Sequence, residues 1–589
     1  MSLRRRSTIA LLAMMALLCT FSAVAQEANV PVKEVFLDNG MKILLVERHE
    51  SPTVSVGWVA HAGSVNEEVG ATGIAHLFEH MFSKGSRVIG TTDYKKEAEI
   101  MAQLDEIRLE METEYEVVRE AKRHGEINGS IYLPENQTEH LAELREKMKA
   151  LQEQQKKLIV KDEFDQIYTE QGASGQNAGT WQDGTLYFVT VPANKLELWF
   201  WMDSEQLLNL VLREFYTERD VVREERRVVT ESNPVAKYEE QFDFMFWGSL
   251  PYKHPIVGWP SDVESITRAQ AERFFATYYA PNNITAAMVG DFDSEEALAL
   301  AKKYFGRLPR GETPPPPMVT EEIEQLAERR MTAQADTNPS VQIRWHTVPF
   351  AHKDYSALDV MNAILSERTG RLYKSLVEVN QLATGEPYSS HYVLKYGGSL
   401  EIGAELAEGV DHQLVEEALL TEIELLKNEP VPDRELQKVK NQALADSFRT
   451  LQSNSSLVLQ LLFYDVMDNW RFLNESSAKV QAVTAEDVQR VANTYFTDTG
   501  RNTLWYFRKE GSEEDPELAA LTGQAKAMAK QALAQIAQVE DPAELEQGLQ
   551  QMQTMKDQAP PEFQPAIELI IKRVTERIEE LRAATGEEG

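Results

Sequence analysis

The chain has 589 residues and a formal net charge of −34, from 94 acidic side chains against 60 Lys and Arg. So acidic a polymer is repelled by phosphate backbones, which argues against nucleic-acid binding, and its length calls for several domains. A single cysteine excludes a disulfide framework.

The N-terminus has the form of a secretory signal, expected over residues 1–25. Arg4, Arg5 and Arg6 supply the basic region, Ile9 to Phe21 is mostly apolar, and Ala23-Val24-Ala25 fits the small-x-small cleavage rule. The apolar run is short for a membrane span, an uncleaved anchor being the alternative, and no second long apolar stretch follows. Cleavage after Ala25 would remove Cys19; Leu17-Leu18 before that cysteine does not suit a lipoprotein site. From about residue 34 the chain alternates like strands. Val35-Phe36-Leu37 leads through the turn Asp38-Asn39-Gly40 into Met41–Val46, and Val54–Ala60 reads as a further strand. Strands followed by helices predict an α+β fold.

The next segment, Gly73-Ile74-Ala75-His76-Leu77-Phe78-Glu79-His80-Met81, reads H-x-x-E-H. On a helix His76 and His80 stack one turn apart and can face one metal ion, with Glu79 beside them. Hydrolysis at neutral pH needs a Lewis acid and a base, and this spacing can supply both. The bland alternative is a pair of surface histidines, against which Ile74, Leu77, Phe78 and Met81 supply an apolar face for burial. Residue frequencies give the pattern about a one-in-fifty chance of arising at random in such a chain.

Residues 95–165 are expected to form a long antiparallel helical hairpin. Ile100, Leu104, Ile107 and Met111, then Leu141, Leu144, Met148 and Leu151, recur at seam spacings around a turn at Gly125–Ser130. Each arm would be on the order of 40 Å at 1.5 Å per residue. It could serve as a gate or clasp near the site, or simply pack on the surface.

Zinc needs a third protein ligand beyond two histidines. The run Glu224 to Glu231 is the candidate source. Leu207 to Glu231 looks helical, and Glu224 and Glu231, seven apart, would point to one side. An ordinary solvated charged helix is the alternative. A Pro-rich linker over residues 308–322 follows, stiffened by Pro314 to Pro317. After about residue 511 the chain turns helical again, with a stripe at Ile567, Ile571, Val574, Ile578 and Leu581 that suits packing on its own domain or on a partner.

These motifs together resemble the pitrilysin/insulinase family of zinc peptidases, which includes the mitochondrial processing peptidases. The resemblance carries the zinc ligands onto His76, His80 and Glu231, the catalytic base onto Glu79, and a supporting carboxylate onto Glu224. Asn177-Ala178-Gly179-Thr180 is similar to the family's edge strand, which would bind a peptide substrate by main-chain hydrogen bonds; an internal strand with a bulge at Gly179 is the alternative. Gly258–Ser261, Tyr278–Asn283 and Gly290-Asp291 extend the likeness. It implies two related metallopeptidase-like domains, each an antiparallel sheet flanked by helices. The N-terminal domain, 32–307, would carry one Zn2+. The C-terminal domain, 323–510, starts its helix near Thr369-Gly370-Arg371 and has no H-x-x-E-H. Residues 511–589 would be a helical extension.

One departure matters. Family members acting alone carry an arginine and a tyrosine seven apart in the second half, and here Val377 and Thr384 stand in those places; Tyr388 is a nearby substitute. The expectation is therefore an exported zinc endopeptidase, periplasmic in a Gram-negative cell, forming the zinc-bearing subunit of a heterodimer. A homologous partner would supply the Arg and Tyr. Competing readings are a non-catalytic peptide-binding scaffold and a zinc hydrolase of small molecules.

Overall fold

The computed structural model describes residues 29–509, 516–519, 521, 523–536, 539, 542–556, 559–560 and 563–585. The expected signal, with Cys19, lies outside them. Contacts divide the chain between Phe507 and Arg508 into two compact units.

The first unit contains two sheets. The first is ordered β1-β2-β6-β3-β5-β4, from β1 (Lys33–Phe36), β2 (Lys42–Glu47), β3 (Thr53–Ala60), β4 (Ser174–Thr180), β5 (Thr185–Pro192) and β6 (Ile284–Gly290). The second is ordered β7-β11-β8-β10-β9, from β7 (Arg329–Ala335), β8 (Ser340–Thr347), β9 (Ala383–Val393), β10 (Gly398–Leu406) and β11 (Asn502–Arg508). Without β1, both sheets have the same order when strands are counted along the chain: first, fifth, second, fourth, third. The two halves are therefore topological repeats. The first sheet is not wholly antiparallel as expected, because β2 and β6 run parallel. A strand that returns to its sheet after a long crossover is free to take either direction.

β5 alternates between buried and half-buried positions, as a one-sided strand does, whereas β6 is buried throughout. The reason is an exchange of helices. Helix Asn454–Met467, from the second half, lays Leu457, Val458, Leu461 and Leu462 against Leu44, Val46, Val59, Ala287 and Val289 of the first sheet. Helix Ala236–Phe246, from the first half, packs Phe242 against Ala333, Ala335, Leu504 and Tyr506 around the second. Each sheet thus has a helix of the other half on one face.

The insertion is a helical hairpin of unequal arms. Helices α1 (Ile74–Phe82), α2 (Tyr94–Arg123), α3 (Glu139–Lys156) and α4 (Glu163–Glu170) follow one another before β4. At 1.5 Å per residue the 30-residue α2 is about 45 Å long and the 18-residue α3 only about 27 Å, shorter than expected. The chain breaks after Lys156 to start α4, whose Phe164 and Tyr168 enter the main core. The seam uses Leu104, Met111, Tyr115 and Val118 against Leu141, Leu144 and Met148. Ile100 and Ile107 lie beside it, partly buried.

The second unit is a helical bundle. Gln564–Thr585 packs Leu569, Ile570, Val574 and Ile578 against Leu545 and Ala529 of two preceding helices, Pro542–Lys556 and Gly523–Ile536. The expected stripe is therefore rotated: Ile567 and Ile571 lie half-buried at its side. No helix among the described residues is long and apolar enough to cross a membrane.

Candidate metal centre

Helix α1 is started by backbone constraint. Gly73 has φ +91°, and a Cβ there would come within 2.6 Å of the Val257 carbonyl oxygen. Only glycine sits there without strain. The two free amides that follow are met by Glu67, whose carboxylate accepts from Gly73 N and Ala75 N at 2.9 Å each. Burial pushes the Glu67 carboxyl well up, and these two amide bonds oppose that shift. Ile74, Leu77, Phe78 and Met81 are buried in the main core, so the helix cannot rotate, and His76, Glu79 and His80 are held on its remaining face.

The second half of the site comes from α5 (Leu196–Asn209) and α6 (Phe215–Arg226). On α6, Phe215, Glu218 and Val222 are buried, and the 3.6-residue period puts Glu225 on that same face. Glu225 Oε2 lies 3.8 Å from His76 Nε2 and 3.3 Å from His80 Nε2. The two rings stand 4.8 Å apart at 75°, and three ligand atoms of His76, His80 and Glu225 all lie within 4.8 Å of one another. Tetrahedral zinc with bonds of 2.0–2.1 Å separates its donors by about 3.3 Å. Two imidazoles and one carboxylate at this spacing fit zinc.

The expected third ligand and its support are elsewhere. Glu231 belongs to a π-helical turn, Arg227–Glu231, that follows α6, and its ion-pair partner is Arg226 at 4.0 Å. Glu224 is exposed and accepts from Arg227 Nε at 2.9 Å. The change of helical pitch after Arg226 breaks the seven-residue register that would have aligned Glu224 with Glu231. The pair Glu218 and Glu225 has the same separation and sits inside the regular helix. The signal that finds it is the apolar face: Phe215 and Val222 share a side with Glu218 and Glu225, and Glu224 is off it.

Glu218 stands behind His80, with Oε2 3.7 Å from Nδ1, and its other oxygen is paired with Lys84. The Glu218 carboxylate raises the His80 pKa, against burial, with Glu225 adding to it. His76, by contrast, is pushed down to about 4 by burial and by its neighbour His80. Its Nδ1 has no hydrogen-bond partner among the described residues. Glu79 is raised by burial, opposed by a 2.6 Å hydrogen bond from Thr180 Oγ1 to its Oε2.

That bond joins the motif to β4. Asn177, Ala178, Gly179 and Thr180 pair with Phe188, Tyr187, Leu186 and Thr185 of β5, and β4 ends the sheet, so its other edge carries no strand among the described residues. Beneath it, between α1 and α4, opens a cavity of about 560 Å³ that reaches Glu79 and His80. In the second half, Val377 packs beside the second core and Thr384 Oγ1 donates to the Leu406 carbonyl at 3.3 Å. The Tyr388 hydroxyl is committed to Glu401 at 2.6 Å.

A family model described as "Insulinase (Peptidase family M16)" matches residues 42–113, and one described as "Peptidase M16 inactive domain" matches residues 265–443. Zinc protease PqqE of Helicobacter pylori is 29% identical over 352 residues, 58% of this chain and 78% of that protein. The beta subunit of the mitochondrial-processing peptidase of Saccharomyces cerevisiae is 22% identical over 348 residues, 56% of this chain and 74% of its own. The fold is shared with a protease from Helicobacter pylori, at TM-score 0.65 and 24% identity over 81% of this chain and 99% of that one. It is also shared with the periplasmic protease PqqL of Escherichia coli, at TM-score 0.60 and 16% identity over 85% of this chain and 50% of that one. With a family model on each half and a repeat in the fold to match, the chain belongs to the insulinase family of peptidases, peptidase family M16.

Proposed function

We propose that this chain is an exported zinc endopeptidase acting on peptides or unfolded segments, and the catalytic subunit of a heterodimer. The observation that carries it is the convergence of His76 Nε2, His80 Nε2 and Glu225 Oε2, with the half-buried Glu79 on the same helix. Glu225 here takes the place first expected for Glu231, and Glu218 that of Glu224. His76, His80 and Glu225 would hold a zinc ion, which would supply a Lewis acid for the scissile carbonyl and lower the pKa of a water toward neutrality. Glu79 accepts a proton from the attacking water as the water oxygen bonds to the scissile carbonyl carbon, and hands it to the departing amine as the C–N bond breaks. Thr180 engages Glu79 Oε2 and so fixes the carboxylate. Extended substrate adds to the open edge of β4, whose main-chain groups bind it with few demands on sequence.

The heterodimer rests on the second half. Val377 carries no charge, Thr384 is short, and the Tyr388 hydroxyl is taken by Glu401; a homologous subunit would supply the missing Arg and Tyr. Export rests on the sequence of residues 1–25 and on the periplasmic description of PqqL. The test is hydrolysis of an unstructured peptide by the purified, zinc-loaded chain, with and without a homologous subunit that carries the Arg and Tyr. Glu79→Gln should retain zinc and lose about 10²–10⁴-fold in rate. A fully active Glu79→Gln enzyme would remove Glu79 as base, and equal activity with and without the partner would remove the heterodimer.

A further inference from the structure

The cavity under β4 has a chemical character that the hydrolytic site does not require. Its walls include the aromatic rings of Phe82, Phe164, Tyr187 and Trp199, and two carboxylates beyond Glu79 face it, Asp165 and Asp203. No Lys or Arg lines it. Asp203, at 6% exposure, accepts from the Trp58 indole at 2.7 Å and from the Tyr168 hydroxyl. Its hydrogen bonds are satisfied by neutral donors, and its negative charge has no ion-pair partner among the described residues. Asp165, on α4, is half-buried at the rim and accepts a 2.7 Å hydrogen bond from Gln176 of β4. It too makes no ion pair among the described residues; the adjacent cation, Lys84, is bound to Glu218. Burial accordingly pushes the Asp165 carboxyl up.

A half-buried carboxylate held only by an amide is an uncompensated charge. Aromatic faces and carboxylates both attract a cation, and they repel an anion. An aliphatic side chain here would remove water from Asp165 and give nothing in return. The volume, about 560 Å³, is within the range of ~300–1,000 Å³ usual for ligand pockets. Its mouth touches Glu79 and His80 as well as Ser174 to Ala178 of the open edge. A peptide laid along β4 therefore drops into it a side chain close to the bond being cut.

We infer that this cavity is a specificity pocket for a long cationic side chain, Arg or Lys, next to the scissile bond, with Asp165 as its selecting residue. The inference rests on the peptidase reading above and deepens it. The test uses the full chain and a set of otherwise identical unstructured peptides with Arg, Lys, Leu, Phe or Glu at one position. Peptide binding is measured by fluorescence anisotropy on zinc-loaded Glu79→Gln protein, and cleavage positions are mapped by mass spectrometry with the wild type. Arg and Lys peptides should bind at least tenfold more tightly than Leu, Phe or Glu peptides, and cuts should fall beside the basic residue. Asp165→Asn should abolish most of that advantage while leaving the Leu peptide unchanged, and Asp165→Lys should reverse it toward Glu. Equal or tighter binding of the Leu and Phe peptides, or an equal loss for all five in Asp165→Asn, would overturn the pocket assignment. Preferential binding of the Arg and Lys peptides with no cleavage by the wild type would uphold the pocket and defeat the peptidase reading instead.

Discussion

At the scale of single residues, the metal centre turns on which glutamate of an acidic run faces inward. Glu224, Glu225 and Glu231 are close in sequence, yet only Glu225 has an oxygen near both His76 and His80. Glu225→Ala should therefore abolish zinc binding, a greater loss than the ~10–100-fold drop in affinity that removal of an outer partner causes. Glu218→Ala, which removes the carboxylate behind His80, should fall in that 10–100-fold range. Glu231→Ala should leave zinc affinity as in the wild type. Metal content and competition with a chelator read all three; loss of zinc in Glu231→Ala with retention in Glu225→Ala would reverse the ligand assignment. The histidines and Glu79 were legible in the sequence because the whole spacing lies within one helix. The third ligand was not, because two pairs of glutamates share the same seven-residue separation and only the helix face distinguishes them.

At the scale of elements, the loop leaving α1 and the base of the helical hairpin are joined by one side chain. Arg213 is 1% exposed, and its guanidinium donates to both oxygens of Glu97 on α2, at 2.8 and 3.1 Å. It also donates to the Ser86 and Ile89 carbonyls at 2.9 and 3.1 Å. Glu97 is fully buried and takes a further hydrogen bond from Gln155 of α3. Replacing Arg213 by Leu leaves Glu97 a buried carboxylate with the Gln155 amide as its one remaining side-chain donor, and takes a donor from the Ser86 and Ile89 carbonyls. A cost of about 3–5 kcal/mol follows for removing one partner of a buried pair. Urea denaturation should show it as a lower midpoint, whereas a change within about 0.5 kcal/mol would mean that water reaches the gap. The seam residues of the hairpin announced it in the sequence through their spacing. Arg213 did not announce itself: its role depends on two segments more than a hundred residues upstream. The same long-range origin hid the parallel pairing of β2 with β6; Glu67 is local, but it caps α1 from six and eight residues away, outside the usual N-cap position.

At the scale of the whole first unit, the two halves are locked by exchanged helices, and one ionic contact pins the exchange. Asp465, on helix Asn454–Met467, has a side chain at 0% exposure, 2.7 Å from Lys42 Nζ on β2. It also accepts a 2.6 Å hydrogen bond from Thr285 on β6, and His61 Nε2 stands 3.5 Å away. Burial opposes its charge, but His61 and Lys42 hold the Asp465 carboxyl down at about 2. His61 is itself lowered by burial, so at neutral pH the cation that balances Asp465 is Lys42. A carboxylate whose folded pKa is depressed adds stability that is fully present above the ordinary aspartate value of about 3.9 and is lost as pH falls toward 2. Asp465→Ala should thus unfold more easily than the wild type at pH 7, by about 3 kcal/mol since Lys42 keeps some access to water. The gap should shrink as the pH is lowered from 4 to 2. Denaturant titrations of both proteins at pH 7, 4 and 3 give the comparison, with Asp465→Asn separating lost charge from lost hydrogen bonds. A gap that stays constant from pH 7 to 3 would show that Asp465 contributes through packing alone, and the apolar face formed by Leu457, Val458, Leu461 and Leu462 would then be what joins the halves.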